Sequence, residues 1–333
     1  MRGVHTNSSR TSVPVLALSG SLLFLLGCAT VGPSKHPPET RQQEASLALG
    51  PPRAIASDIP FVSLEGPFWV AKDGYLIFSD VVEQNGPAAK IYRFDPHTRA
   101  FSTVPYPGSP TSTNGLAMDA DANLVACERW NGALVRVSGT KRDVLAEHAP
   151  DGQHLNAPND LTSRADGNIY FSDSTWGARP GAHAPTAVYR VAPDGALSVA
   201  FKIDMPNGVV LSPDGNTLYV GSDAQDRLWR LLVAANGSVG SPEPFGHASD
   251  DPRARLHVPD GLCVDDRGHV FVTNNSPEVS AIIVLDSAGH FVERIPFPAP
   301  PSNCTFGGAD RRTLYVTTLH AIYEVPMGTP GLP

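Results

Sequence analysis

One short sequence pattern occurs six times along this chain. Each copy starts with a polar residue and a short apolar strand, turns at an Asp-Gly or similar pair, and returns as a second, more apolar strand. Successive turns lie roughly 44 to 52 residues apart, a period typical of β-propeller blades, each of which is a four-stranded meander. We therefore predict an all-β fold, a single six-bladed β-propeller with four-stranded blades. The copies occupy residues 65–80, 114–128, 159–173, 207–223, 260–274 and 303–317.

The end of the sixth unit indicates how the propeller closes. A strand predicted at 321–325 is followed by a segment containing Pro and Gly, so the last blade lacks a fourth strand. A candidate for that strand precedes the first copy, at residues 59–64 or a few residues upstream. Pairing of the N- and C-terminal segments would remove the exposed edges of an open sheet. We predict that this pairing closes a propeller domain at 58–333.

The first thirty residues resemble an export signal. Positively charged residues precede an apolar run at 13–26, which is shorter than the ~20 residues that cross a bilayer as a helix. The run ends in Leu-Leu-Gly-Cys, which resembles the bacterial lipobox, so we expect Cys28 to be lipidated. This predicts a signal peptide at 1–28 and an exported outer-membrane lipoprotein that faces the periplasm or the cell surface. Ordinary secretory cleavage near Ala29 is the alternative.

Composition limits the partners of the chain. Residues 29–57 are rich in Pro, Glu and Gln and have no apolar period, so we expect a flexible tether there.

The formal net charge of -8 argues against nucleic acid as a partner, because a phosphate-binding surface needs clustered Lys and Arg. The G-x-S-x-G and H-E-x-x-H motifs of other hydrolases are absent. We expect a monomer that meets the membrane only through its lipid anchor.

When the six copies are aligned, every first position carries a side-chain oxygen. The first strand of a propeller blade lines the central channel, so these positions form a ring at one mouth. Turn chemistry explains Asn-Gly and Asp-Gly pairs but not a Glu at this place. Six such oxygens suit Ca²⁺, which takes about 6 to 8 oxygen ligands. The absence of His and Cys favours Ca²⁺ over Zn²⁺, with Mg²⁺, Mn²⁺ and Zn²⁺ as alternatives. The ring residues are Glu65, Asn114, Asn159, Asn207, Asp260 and Asn303.

Five short motifs surround these positions. They are Leu64-Glu65-Gly66-Pro67, Leu155-Asn156-Ala157-Pro158-Asn159-Asp160-Leu161, Pro206-Asn207-Gly208, Pro259-Asp260-Gly261 and Pro301-Ser302-Asn303-Cys304-Thr305-Phe306-Gly307-Gly308. In combination they resemble the gluconolactonase and regucalcin-like family, in particular its bacterial gluconolactonase branch, over residues 59–325. The resemblance implies a six-bladed propeller, one catalytic divalent cation, usually Ca²⁺, and hydrolysis of sugar lactones.

The resemblance also implies roles for single residues. It assigns the metal site to Glu65, Asn159, Asn207 and Asp260, with Asp260 also the general base. The cation would polarise the carbonyl of a small-molecule lactone such as gluconolactone, and Asp260 would take a proton from water or from a metal-bound water. In regucalcin-like members an Arg that contacts substrate stands two positions before the residue matching Asn159. Ala157 stands there in this chain, so their sugar preference is not carried over.

Two other functions stay open beside the metal-dependent lactonase. A non-catalytic propeller of the cell envelope could keep the ion for rigidity and bind a ligand or partner. A related calcium-dependent esterase or phosphotriesterase would use the same ring. The complete set of ring residues that match the family favours the lactonase.

Residues outside the ring are candidates for contact with substrate. His154 and His257 lie in loops that lead into first strands, and therefore on the same face as the ring. Trp176 follows the third copy in a segment longer than a hairpin needs, and it is a candidate for the pocket wall. Further candidates, which end second strands, are Glu128, Asp173 and Asp223.

Three cysteines remain when Cys28 is set aside. Because three is an odd number and all three have apolar neighbours, we expect them to be buried small hydrophobic residues. They are Cys127, Cys263 and Cys304.

Overall fold

The computed structural model describes residues 46–81, 90–107, 112–178, 181, 184–246 and 251–333. Within them, 24 strands form six four-stranded antiparallel sheets. The first strand of each sheet contacts the first strands of two other sheets, and the series of contacts returns to its start. The prediction of a six-bladed β-propeller is therefore confirmed, with the channel enclosed by the six first strands.

The strands are numbered in chain order, and each blade runs outward from the channel. Blade 1 contains β2 (Leu64–Val70), β3 (Tyr75–Asp80), β4 (Lys90–Asp95) and β5 (Ala100–Thr103). Blade 2 contains β6 (Thr113–Met118), β7 (Leu124–Glu128), β8 (Ala133–Ser138) and β9 (Lys141–Ala146). Blade 3 contains β10 (Ala157–Ser163), β11 (Ile169–Ser174), β12 (Ala187–Val191) and β13 (Leu197–Lys202). Blade 4 contains β14 (Pro206–Leu211), β15 (Thr217–Ser222), β16 (Arg227–Leu232) and β17 (Glu243–Phe245). Blade 5 contains β18 (Pro259–Val264), β19 (Val270–Asn274), β20 (Ala281–Leu285) and β21 (Phe291–Pro296). Blade 6 contains β22 (Pro301–Gly307), β23 (Thr313–Thr318), β24 (Ile322–Pro326) and β1 (Arg53–Ala54).

Local sequence explains the hairpins and the packing between blades. In the inner hairpin of blade 4, Asp214 Oδ1 accepts the N–H of Asn216 at 3.0 Å, and Gly215 takes a φ of 68° that favours glycine. Aromatic and β-branched side chains of the inner strands pack against the next blade. Phe271 of blade 5 and Phe306 of blade 6, for example, have ring centroids 5.1 Å apart. Removing these apolar faces from water holds the inner strands around the channel.

The two terminal segments pair in the last blade, as predicted. Strand β1 lies antiparallel to β24, with Arg53 opposite Glu324 and Ala54 opposite Tyr323. The closing strand therefore lies just upstream of residues 59–64. Because of this pairing, blade 6 has the same number of strands as the other five.

The predicted boundary between tether and propeller, after residue 57, is too late in the sequence. Leu47 and Ile55 are each only 5% exposed, and Ala48 forms a β-bridge with Met327. Leu47 packs in the apolar cluster between blades 5 and 6. The propeller therefore begins no later than Leu47. Isolated apolar side chains in a Pro-rich segment have no period, so composition alone did not reveal this packing.

Replacement of Leu47 by Ala tests this boundary. We expect Leu47→Ala to lower the free energy of unfolding by about 2 to 4 kcal/mol, because it leaves a cavity between two blades. Leu49 is a matched control, since its backbone N–H donates to Pro326 O at 2.8 Å while its side chain is 67% exposed. Leu49→Ala should change the free energy by no more than about 0.5 kcal/mol. Equal losses in urea unfolding would mean that this segment does not pack as described.

All three cysteines are buried, as expected, but two of them are bonded to each other, which was not expected. Cys263 of β18 and Cys304 of β22 form a disulfide bond, with their Cα atoms 5.8 Å apart. This bond links the inner strands of blades 5 and 6. Cys127 is free and buried, as predicted. The two bonded cysteines are 41 residues apart and become neighbours only because the inner strands lie side by side.

Residues 1–45 lie outside the described part of the chain. Cys28, the signal peptide at 1–28 and most of the tether predicted at 29–57 fall there, so export and lipidation stay predictions. In the part that is described, no helix is long and apolar enough to cross a membrane.

Candidate active site at the channel mouth

The structure brings all six ring residues to the same end of the channel. Each is at most 8% exposed and lies near the start of its inner strand. The aligned first positions of the six copies are therefore equivalent in three dimensions. Four of them are the second residue of their inner strand, namely Glu65, Asn114, Asn207 and Asp260. The other two, Asn159 and Asn303, are the third residue of theirs.

A β-bulge near the start of each inner strand sets the direction of these side chains. The pairing of first and second strands shifts register between Glu65 and Phe68 in blade 1 and between Pro259 and Leu262 in blade 5. The other four blades have a shift at the corresponding place. A bulge adds a residue to one strand and changes the direction of its side chains. Because of this bulge, the side chain of the ring residue does not follow the inward and outward alternation of side chains in the rest of its strand.

The backbone before three ring residues is strained. Ser112, Met205 and Val258 have φ values of 55°, 46° and 50°, and each lies two residues before a ring residue. A residue with a Cβ held at positive φ costs about 1 to 3 kcal/mol unless its surroundings favour that conformation. Strain of this kind is concentrated at functional sites. Here it occurs where the chain enters the mouth of the channel.

The position after the ring residue is usually Gly, because neighbouring inner strands approach closely there. A Cβ on Gly66 would overlap the carbonyl oxygen of Asn114, and a Cβ on Gly208 would overlap that of Asp260. Blade 3 departs from this pattern with Asp160. The departure places a carboxyl group inside the channel, one residue below the ring.

Asp160 is buried and held by backbone groups. Its Oδ1 accepts the N–H of Leu161 at 2.9 Å, and its Oδ2 accepts the N–H of Val209 from blade 4 at 3.4 Å. Burial raises the pKa of Asp160 to about 7, while these bonds and one from Asn303 oppose the rise. A third carboxyl group therefore lies close to the two carboxylates of the ring.

Long hydrogen bonds join some neighbours in the ring. Asn114 Nδ2 donates to Asn159 Oδ1 at 3.2 Å, and Asn303 Nδ2 donates to Glu65 Oε2 at 3.5 Å. Among the described residues, the Oδ1 atoms of Asn114 and Asn207 are buried and have no hydrogen-bond partner. A buried acceptor left unpaired costs about 1 to 3 kcal/mol. The ring therefore offers oxygen atoms that the protein itself does not satisfy.

Burial and mutual repulsion dominate the electrostatics of the site. Burial raises the pKa of Glu65 to about 8, the charge of Asp160 adds to the rise, and the charge of Arg129 opposes it. Burial also raises the pKa of Asp260 well above its ordinary value, and the charges of Glu65 and Asp223 raise it further. At neutral pH these carboxyl groups are therefore difficult to ionise together unless positive charge enters the site.

Two side chains outside the ring orient its members. Asn275 Nδ2 donates to Asp260 Oδ2 at 2.8 Å. Asp223, at the end of the second strand of blade 4, accepts from Asn207 Nδ2 at 3.2 Å and from Trp176 Nε1 at 2.8 Å. Burial raises the pKa of Asp223 to about 6, and these two hydrogen bonds oppose the rise. Trp176 is thus connected to the ring through one buried carboxyl group.

The two predicted histidines lie on the mouth face but are held by other residues. His154 Nδ1 lies 2.9 Å from Leu155 O, and its Nε2 lies 3.2 Å from Glu147 Oε1, so it is bound within its own loop. His257 Nδ1 lies 3.0 Å from Asp226 Oδ2. In the described structure neither imidazole forms a hydrogen bond to a ring residue. A contact with substrate stays a prediction for both.

Acidic residues that end other second strands fix the loops that enter the mouth. Asp80 Oδ1 accepts the N–H groups of Val62 and Ser63, both at 3.0 Å. Asp173 Oδ1 accepts the N–H of Ala157 at 2.7 Å. These acids therefore hold the chain just before Glu65 and Asn159, which gives them a structural role.

Glu128 has a different structural role, in blade 2. Its carboxylate accepts two hydrogen bonds from Arg142, at 2.8 and 2.6 Å, and others from Tyr106 and Asn131. Burial would raise the pKa of Glu128, but these hydrogen bonds together lower it. Its oxygens are thus engaged inside the blade.

The opposite end of the channel contains a cavity of about 540 Å³. Turn residues Arg164 and Asp214 and the C-terminal Leu332 line its outer part, and Asp160 and Asn303 line it as well. Asn303 is itself a ring residue and Asp160 lies one residue below the ring, so the cavity extends from this end of the channel up to the ring.

Residues 64–320 match the family model described as SMP-30/Gluconolactonase/LRE-like region. The chain belongs to this family. A gluconolactonase of Zymomonas mobilis is 28% identical over 305 residues, which cover 84% of this chain and 82% of that relative. A gluconolactonase structure from Xanthomonas campestris is 28% identical with a TM-score of 0.70, covering 84% and 91% of the two chains. The gluconolactonase relatives support a lactonase hydrolase.

A more distant structure extends the comparison of the fold. Regucalcin of Agrobacterium tumefaciens, described as a calcium-binding protein, is 19% identical with a TM-score of 0.68, covering 84% of this chain and 95% of that one. At this identity the similarity shows only that the two chains share the propeller fold.

Three residues that lie near the ring were not singled out from the sequence. Asp160 had a detectable signal, because it stands where four other copies have Gly. Asp223 was only one of several acids that end second strands, and nothing in the sequence set it apart. Asn275 reaches Asp260 from a turn of the same blade, a contact that depends on side-chain direction and leaves no pattern in the sequence.

Proposed function

We propose that this protein is a divalent-cation-dependent hydrolase that opens a sugar lactone such as gluconolactone. One observation carries the proposal. Six inner strands each direct an oxygen-bearing side chain to one mouth, and two of the buried amide oxygens, on Asn114 and Asn207, have no partner among the described residues. Family membership supports the lactone as substrate.

The donor set fits an oxygen-seeking cation. A cation would satisfy the unpaired amide oxygen of Asn207 and also offset the repulsion between Glu65 and Asp260, which burial makes difficult to ionise. No three His, Cys, Asp or Glu side chains of the described residues form a metal-holding group. The ring has two carboxylates, and its other donors are amides, so the proposed site depends on a mixed set. Such a set favours Ca²⁺, with Mg²⁺ or Mn²⁺ next.

The residues proposed to hold the cation are four of the ring. Glu65 and Asp260 supply carboxylate oxygens, and Asn159 and Asn207 supply amide oxygens. A divalent cation bound there would polarise the carbonyl of the lactone. Asn114 and Asn303 complete the ring and are available to the substrate.

Asp260 is proposed to move the proton. Asn275 occupies Oδ2, and no described residue forms a hydrogen bond with Oδ1, so Oδ1 is the available oxygen. It takes a proton from the attacking water as the water oxygen bonds to the carbonyl carbon. When the ring C–O bond breaks, the proton passes from Asp260 to the departing ring oxygen. One water is added in total, and the product is an open-chain hydroxy acid.

An assay of the purified full-length chain in detergent tests this function. Acid release from gluconolactone should exceed the spontaneous rate, fall at least about tenfold in chelator, and return when Ca²⁺ is added. The panel also contains other lactones, an aryl ester and a phosphotriester. Turnover of only the ester or the phosphotriester would replace the lactonase by the related hydrolase. No chelator-sensitive turnover of any of them would contradict catalysis at this site.

A further inference from the structure

The indole of Trp176 is exposed at the mouth but is not free to move. The residue is 52% exposed, yet its Nε1 donates to Asp223 Oδ2 at 2.8 Å. Asp223 also accepts from the ring residue Asn207. The indole is therefore attached to the ring by two successive hydrogen bonds through one buried carboxyl group.

The backbone around Trp176 is fixed on both sides. Thr175 Oγ1 lies 3.1 Å from the sulfur of Met205, which precedes blade 4. Gly177 has a φ of 66°, and a Cβ there would overlap the guanidinium group of Arg129 from blade 2. Arg129 lies close enough to Glu65 for its charge to act on that carboxyl group. Residues 175–177, called here the platform segment, thus contact blades 2 and 4 beside the ring.

These contacts distinguish Trp176 from other exposed apolar side chains on the same face. Val62 and Leu319 are 45% and 50% exposed and are single surface residues, which are common on soluble proteins. Trp176 combines a broad apolar face with a side-chain conformation that is fixed by a hydrogen bond. A ligand that contacts it does not have to order it, so little binding free energy is lost. Sites for small molecules combine such aromatic surfaces with a few placed polar groups.

We propose that the indole face of Trp176 is the platform on which the ring of a hydroxylated cyclic lactone stacks, with the lactone carbonyl directed at the residues of the channel mouth. This inference rests on the proposed function and specifies the substrate as a cyclic sugar lactone. The C–H face of such a ring is apolar and matches the indole. Its carbonyl and hydroxyl groups lie at the edge and match the oxygen and amide groups of the ring residues.

The first test separates binding from catalysis. Removing the indole takes away apolar contact area, so Trp176→Ala should raise KM for gluconolactone about tenfold with kcat within about twofold of the wild type. Trp176→Phe keeps an aromatic face but loses the hydrogen bond to Asp223, and it should give an intermediate KM. Leu319→Ala removes an equally exposed apolar side chain from the same face and should leave KM unchanged. An unchanged KM in Trp176→Ala, with chelator-sensitive turnover retained, would overturn the platform and leave the proposed function intact.

The second test does not need turnover. The ligand is 1,5-anhydroglucitol, a hydroxylated six-membered ring without a bond to hydrolyse, and the readout is tryptophan fluorescence at millimolar ligand. Wild-type protein should show a saturable change that is absent in Trp176→Phe and retained in Leu319→Ala. The same change in Trp176→Phe, or no change in the wild type, would overturn the platform even if no lactone were turned over.

Gly177 offers a further variant that leaves the indole itself unchanged. Gly177→Ala should displace the guanidinium of Arg129 or the platform segment, and KM should rise as in Trp176→Ala. Gly181 is the matched control, because it has a φ of 88° and no atom of the described residues lies within 4 Å of the Cβ position. Gly181→Ala carries the same backbone strain but should leave KM unchanged. Equal effects of the two variants would contradict a specific role for the contact with Arg129.

Discussion

Replacement of Asp260 by Asn should lower kcat/KM for gluconolactone by about 10³-fold. Asn has nearly the same shape and can still accept the hydrogen bond from Asn275, but it cannot take a proton from water. The exchange also removes one of the two negative charges proposed to hold the cation. Initial rates measured in saturating Ca²⁺ check the prediction.

The stability of Asp260→Asn shows whether a loss of activity is caused by unfolding. The pKa of Asp260 is raised in the folded protein, so its ionised form costs stability at every pH above the pKa of the unfolded chain. In chelator at neutral pH, Asp260→Asn should therefore be at least as stable as the wild type. Asp194 accepts the N–H of Ala196 in an exposed turn, and Asp194→Asn is the control that should keep full activity. Asp260→Asn with activity within tenfold of the wild type would exclude Asp260 as the general base.

Removal of the disulfide should have the largest effect on stability. The bond between Cys263 and Cys304 closes a loop of 41 residues, and a loop of that size restricts the unfolded chain by about 4 kcal/mol. The variant with both cysteines replaced by Ala should lose about that much, together with the smaller cost of deleting two buried sulfur atoms. Urea unfolding without reductant measures the loss.

The variant Cys127→Ala measures the cost of deleting a buried sulfur atom alone. Cys127 is buried and free, so Cys127→Ala deletes a sulfur atom without breaking a covalent link and should cost about 1 kcal/mol. Reductant should lower the stability of the wild type and of Cys127→Ala, but not that of the double variant. If the double variant lost no more than twice the cost of Cys127→Ala, the disulfide would not stabilise the propeller.

The fold could be read from the sequence because a propeller repeats its unit in both sequence and space. The same repeat explains why aligning the first positions found all six ring residues, from Glu65 to Asn303. A strand hidden in an irregular segment was harder to locate. Arg53–Ala54 has only two residues, both exposed, and the buried side chains beside it, Leu47 and Ile55, follow no regular spacing.

The disulfide was missed for a geometric reason. Cys263 lies three residues after Asp260, whereas Cys304 directly follows Asn303, so the two cysteines do not stand at matching positions of the repeat. The register shift spans Pro259 to Leu262 in blade 5 but Pro301 to Asn303 in blade 6. Two residues at the same distance in sequence from their ring residues can therefore lie at different depths in the channel. Only the three-dimensional strand pairing reveals which side chains meet.

Side-chain contacts between blades could not be predicted from the sequence either. The link from Trp176 through Asp223 to Asn207 joins blades 3 and 4, and each hydrogen bond depends on a side-chain conformation. Asp160 is the exception, because its departure from the Gly pattern could be seen in the aligned copies. A charged residue at a position where most copies have Gly is thus a useful signal for the site.

The ring at the channel mouth is proposed to bind the cation that serves lactone hydrolysis. Long-wavelength anomalous diffraction from a crystal grown with Ca²⁺ tests it most directly. We expect one strong peak enclosed by Glu65, Asn159, Asn207 and Asp260, at about 2.3 to 2.6 Å from their oxygen atoms. No peak at the ring, or a peak only elsewhere on the protein, would contradict it.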